Sequence, residues 1–164
     1  MSYLLTGLIA YILAYISLFM HEFAHALMYA ITYQKNDWLI RLGEGKKITT
    51  IVRIDFHQLP TTGYCKWGSY DSMYKIRNFM CLIAGPLISL LLVIVIFLMN
   101  KYVQNQAISS VYLNFEWVLG FGFWYNLYSF VFTLLPTRYQ TGFNKGRDSD
   151  GLQILTLMKL KKKH

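Results

Sequence analysis

Acidic residues are scarce in this chain. Its 164 residues carry 8 Asp and Glu against 16 Lys and Arg, for a formal charge of +8. Cysteine is scarcer still. Cys65 and Cys81 are the two present, and they are not spaced as a metal knuckle. Both are expected to stay reduced and to play no catalytic part. Charge of either sign is missing from long stretches: there is none from Tyr3 to Met20, from Ala26 to Tyr33 or from Asn78 to Met99. A chain that is 55% hydrophobic, with a mean hydropathy of +0.33, is too apolar for an ordinary soluble domain. A cleaved secretory signal is also disfavoured, because the first run has no basic n-region and continues without a small-residue cleavage site.

What is present is three apolar runs, Tyr3–Tyr33, Asn78–Met99 and Val111–Leu135, the last with one acid, Glu116. Each exceeds the roughly 20 residues that cross a hydrocarbon core. The expected fold is therefore an all-α multi-pass membrane protein with three core transmembrane helices and a small β-element after the first. Lys and Arg number eight between Lys35 and Arg77, one (Lys101) in the second connection and seven from Arg138 to Lys163. The positive-inside rule then places the N-terminus outside and the C-terminus in the cytosol. Because the basic residues follow the membrane sides, nucleic acid is not an expected partner. The tail Lys159–Lys163 is expected to meet anionic lipid. One membrane-embedded domain is expected over 1–164, with spans at 3–33, 78–99 and 111–135. The Ile-, Lys- and Tyr-rich usage points to an AT-rich bacterial genome, hence to a bacterial cell membrane.

The first connection carries a β-element over 38–67. Trp38–Leu42 reads as a strand, Gly43-Glu44-Gly45-Lys46 as a turn and Lys47–Phe56 as a second strand that Pro60 stops. Gly63–Trp67 reads as a short third strand. Such an element either connects helices only or offers a free edge to an extended ligand. The last segment, 137–164, reads as a polar loop and a short helix, with Asp148 or Asp150 placed to begin it.

The most informative residues are His21-Glu22-Phe23-Ala24-His25. On a helix, histidines four apart share one face and can reach one zinc ion, with Glu22 beside them to take a proton from the attacking water. Each ionisable group in the middle of a bilayer costs about 2.5–3.5 kcal/mol, and a metal gives three such groups a reason to cluster. A catalytic zinc site takes a third protein ligand and leaves one position open. The acids on offer are Glu44, Asp55, Glu116, Asp148 and Asp150. The second run contains Ala84-Gly85-Pro86, where proline interrupts a helix and glycine admits a neighbouring backbone. Counted at 1.5 Å per residue from the inner ends of their runs, Pro86 and His25 lie roughly 13 and 12 Å deep.

With those motifs in order, the chain resembles the site-2 protease family of intramembrane zinc metalloproteases. His21–His25 matches the metal helix, and Leu59–Cys65 is similar to the family's membrane-associated hairpin ending in Gly-Tyr. Ala84-Gly85-Pro86 matches its second core helix. Leu134-Leu135-Pro136 with Asp150-Gly151 is similar to the Asn-x-x-Pro…Asp-Gly motif, although Thr133 stands where the family has Asn and Thr137–Ser149 lengthens the gap. The resemblance implies one Zn²⁺ per chain held by His21, His25 and Asp150, Glu22 as the catalytic acid/base, and Gly63, Gly85 and Pro86 helping to hold a substrate extended. It implies a transmembrane or membrane-anchored peptide as substrate, as in regulated intramembrane proteolysis. Nothing in the chain resembles a PDZ domain. Three rivals are a catalytically silent relative that binds a membrane partner, a metalloprotease with Glu44 or Glu116 as third ligand, and a zinc transporter, which the charge-free second run disfavours.

Overall fold

The computed structural model describes residues 3–68, 74–105, 111–140 and 142–159. In chain order the elements are α1 (Tyr3–Tyr33), β1 (Leu39–Ile51), β2 (Ile54–Lys66), α2 (Lys75–Asn105), α3 (Val111–Leu134) and α4 (Asp150–Lys159). Among the described residues the fold is thus mixed α/β, four helices with a two-stranded antiparallel sheet, and not the all-α bundle of three membrane spans expected from the run lengths. Two of these helices, Leu4–Tyr33 and Lys75–Asn105, are long and apolar enough to cross a membrane; α3 is not among them. The reason lies in its composition. Much of α3 is aromatic with polar tips, as at Trp117, Trp124, Tyr125 and Tyr128, and it carries Asn114, Glu116 and Asn126. Such side chains are far less hydropathic than the aliphatic run of α2. The lysines at 161–163, expected to meet lipid, lie outside the described residues.

The hairpin also departs from the sequence reading. Gly43 and Gly45 do not end a strand. Both take left-handed φ, +90° and +86°, and bend β1 without breaking it, because glycine reaches that region without a Cβ penalty. The register accordingly slips through Leu42, Glu44, Lys47 and Thr49. The chain reverses at Val52-Arg53, between the paired Ile51 and Ile54. Pro60 sits inside β2, where it has no N–H to offer the ladder, and its carbonyl accepts from the Tyr125 hydroxyl at 2.7 Å. The expected third strand is the end of β2.

One consequence of the bend is that Ile40, Arg41 and Leu42 are paired twice, with Cys65, Tyr64 and Gly63 on one side and with Ile54, Asp55 and Phe56 on the other. Ile40 and Leu42 are completely buried and pack with Leu18 and Ala26 of α1. Each such aliphatic side chain contributes roughly 1.5–3 kcal/mol, which fixes the hairpin on the middle of α1. A second cluster joins Leu82 of α2 to Ile154 and Leu157 of α4, with Leu134 of α3 and Trp67 at its margin. Helix α3 runs back along α2, so Phe123 meets Phe97 and Leu134 ends beside Leu82. Between the two clusters lies a cavity of about 740 Å³.

Candidate metal centre

His21, Glu22 and His25 occupy the buried face of α1, at 3%, 5% and 3% exposure. The imidazoles share that face because four residues make about one helical turn. Helix α2 meets them with residues that recur every four positions. The Cys81 carbonyl accepts from His25 Nδ1 at 2.7 Å. Ser89 Oγ lies 2.8 Å from His21 Nδ1. A carbonyl can only accept, so Nδ1 of His25 carries a proton, and Nε2 is the nitrogen left to bind a metal once it gives up its own proton. Gly85 lies between Cys81 and Ser89. A Cβ there would run into His25 Nε2 and would stand 2.7 Å from His21 Nε2. The glycine is the reason α2 can close on the pair.

Asp150 enters from the first residue of α4. Its Oδ2 lies 3.6 Å from His21 Nε2 and 3.4 Å from His25 Nε2, and the two Nε2 atoms are 3.3 Å apart. Among the described residues, His21, His25 and Asp150 form a group that can hold a metal ion. Burial raises the carboxyl pKa of Asp150, but His25 and His21 outweigh it and hold the group well below the ordinary carboxylate range. It is therefore the ionised, ligand-competent form.

The placement of Asp150 follows from its neighbours. Ser149, completely buried, caps α4: its Oγ accepts from Leu152 N and Thr137 N, both at 3.2 Å, and donates to the Leu135 carbonyl at 2.6 Å. The cap is therefore the serine between the two aspartates and neither aspartate itself. Asp148 is bound to Arg138 Nε at 2.7 Å and supplies no ligand to the cluster. A Cβ on Gly151 would collide with the Leu134 backbone, so the Asp-Gly pair lets α4 start hard against the end of α3.

Glu22 faces the Gly63 end of β2. A Cβ on Gly63 would lie 2.8 Å from Glu22 Oε1, so β2 comes close enough only because that position is glycine. Of the residues expected to hold a substrate, Gly63 lines the cavity with Glu22 and the three cluster residues. Gly85 is pressed against the imidazoles, and Pro86 is buried within α2. Glu44 bonds to Thr62 and Phe143, and Asp55 to Lys47 and Thr50, so the hairpin acids are engaged elsewhere. Asn126, the asparagine nearest upstream of Thr133, bonds to Ser17 and Gly122 and not to the cluster.

The sequence reading missed several residues of this site. Ser89 was detectable, since Cys81, Gly85 and Ser89 are spaced four apart on the face that carries the Gly-Pro. Trp67, Tyr139, Asn144 and Arg147 also line the cavity, and no local pattern announces them. The Cys65 thiol is free, and burial pushes its pKa up, keeping it protonated. Burial likewise raises the Tyr139 hydroxyl to about 12, so this lining residue stays neutral. No family model, curated protein or solved structure matches this chain.

Proposed function

We propose that this protein is a membrane zinc endopeptidase of the site-2 type, cutting membrane-embedded or membrane-anchored peptides near the cytosolic side. The observation that carries this reading is the triangle of His21 Nε2, His25 Nε2 and Asp150 Oδ2, with edges of 3.3, 3.4 and 3.6 Å. Ligands about 2.05 Å from a tetrahedral zinc stand roughly 3.3–3.4 Å apart. Three such corners leave the fourth open, the pattern of a catalytic and not a structural zinc. When bound, zinc acts as a Lewis acid on a carbonyl and brings the pKa of a water to about 7.

The chain's own groups supply the rest. Glu22 takes the proton of the attacking water and delivers it to the leaving amine. His25 is held in its metal-binding tautomer by Cys81, and Ser89 orients His21. The edge of β2 at Gly63–Cys65 borders the cavity, so a peptide chain laid there would be extended, with its carbonyl exposed to attack. A membrane setting is supported by the two apolar helices and by unpaired stripes on them. Leu4, Leu8, Ile12 and Ile16 on α1, and Leu87, Leu91 and Leu98 on α2, are all 45% or more exposed. Apolar stripes of this length need lipid or protein against them. The eight Lys and Arg of 35–77 favour the cytosol for the hairpin side.

The test is zinc per chain in detergent-purified protein, combined with cleavage of a membrane-anchored reporter. Wild type and Glu22→Gln should each hold about one zinc, with cleavage falling by about 10²–10⁴ in Glu22→Gln. His25→Ala and Asp150→Ala should lose the metal, and Asp148→Ala should keep it. Folded wild type without zinc would make the chain a silent membrane-binding protein. Cleavage surviving in Glu22→Gln would sink the mechanism.

A further inference from the structure

The outer edge of β2 is not bare. Among the described residues Gly63–Lys66 pairs with Leu39–Leu42 on one side only, yet a backbone group on its other side is engaged. The Gly63 carbonyl accepts from Asn144 Nδ2 at 3.2 Å. Asn144 is 5% exposed, and its Oδ1 has no partner among the described residues. A carboxamide with one donor on a strand carbonyl and one idle acceptor has the same hydrogen-bonding groups as a peptide unit of a neighbouring strand.

The segment that carries Asn144 is docked by rim contacts. Phe143 N donates to Glu44 Oε1 at 3.2 Å. The Phe143 ring stacks on Tyr64, with centroids 5.9 Å apart and planes at 10°. The Arg41 guanidinium sits 3.2 Å from the Phe143 centroid, and that of Arg147 sits 3.7 Å from the Tyr64 centroid. Yet Phe143 is 44% exposed, and Gly142, Lys145, Gly146 and Arg147 are exposed as well. The segment's base is closed by backbone hydrogen bonds between Tyr139 and Gly146–Arg147, but beyond that base the tip rests on exposed contacts with no buried apolar anchor, so it opens at low cost.

From this we infer that Gly142–Arg147 is a strap closing the substrate edge of the cavity, with the Asn144 carboxamide standing where a peptide group of an extended substrate would pair. The inference rests on the hydrolase reading above. A substrate strand gains the Gly63 carbonyl only by displacing Asn144. The edge stays protected from chance strand pairing until a true substrate competes for it.

The test compares full-length, zinc-loaded wild type with Asn144→Ala and Phe143→Ala. One readout is hydrolysis of the membrane-anchored reporter. The other is maleimide labelling of Cys65, which lines the cavity, followed by mass on its own peptide, since Cys81 is 1% exposed. Both rates should rise about 2- to 10-fold in each variant, the factor one neutral hydrogen bond carries, at unchanged zinc per chain. Faster labelling with no hydrolysis in any protein would uphold the strap and sink the hydrolase reading. Unchanged or slower labelling would overturn the strap. So would faster labelling with slower hydrolysis in Asn144→Ala, which would make Asn144 a substrate-holding residue.

Discussion

At the scale of single residues, the site depends as much on missing side chains as on the ligands. Gly85 and Gly63 let α2 and β2 approach the imidazoles and Glu22, and a single methyl group at either position enters occupied space. Gly85→Ala should therefore weaken metal retention at least tenfold in a chelator competition. The accompanying loss of stability, about 1–3 kcal/mol, is typical of overpacking. Zinc bound as tightly as in wild type would mean that α2 does not press on the pair. The residue scale also separates the two aspartates. Asp150 is buried against both imidazoles, whereas Asp148 is fixed by Arg138 on the rim.

At the scale of elements, α4 is short and owes its position to its first turn. Ser149 ties that turn to Leu135 and Thr137. Ser149→Ala should cost about 0.5–2 kcal/mol, as the loss of a serine cap does. Because Asp150 is the next residue, zinc affinity should fall with the melting temperature, which a paired thermal and metal titration would detect. The hairpin tip carries the opposite kind of feature. Val52 is 88% exposed and sits at φ +56°, where a β-branched residue is penalised by about 1–2 kcal/mol. Val52→Asn should raise stability by about 1 kcal/mol, read as a higher melting temperature in detergent. A lower one would show that the valine is held by something beyond this chain.

At the scale of the whole molecule, the apolar stripes of α1 and α2 are left largely uncovered by the described residues. The protein should stay with the membrane pellet through high-salt and alkaline washes and leave it only with detergent. Release by salt alone would reassign those faces to a protein partner. The two clusters, hairpin on α1 and α4 on α2, make the cavity a joint product of every element. Metal stripping should accordingly lower the melting temperature of the whole chain, because binding to the folded state alone stabilises it by mass action.

The His-Glu-x-x-His spacing was legible because a helix converts four residues into one face without outside help. The Gly-Pro of α2 and the Asp-Gly that opens α4 were legible for a similar reason, since glycine and proline constrain the backbone locally. Run length misjudged α3, because it counts aromatic and amide side chains as though they were aliphatic. The glycine pair of β1 looked like a turn, and only pairing on both sides of Ile40–Leu42 shows it as a bend within a longer strand. Gly151 after Asp150 was the one local signal that favoured it over Asp148, and Arg138, Ser149 and the end of α3 are what separate the two in space. The strap was invisible, since Asn144 and Gly63 are 81 residues apart. Periodicity and backbone stereochemistry act within a few residues, so the sequence alone determined the helix that pairs His21 with His25 and the glycine positions that let neighbours approach it. The closure of Asp150 on that pair, the cavity and the covered strand edge depend on contacts between distant segments, and those were decided by the packing of the folded chain.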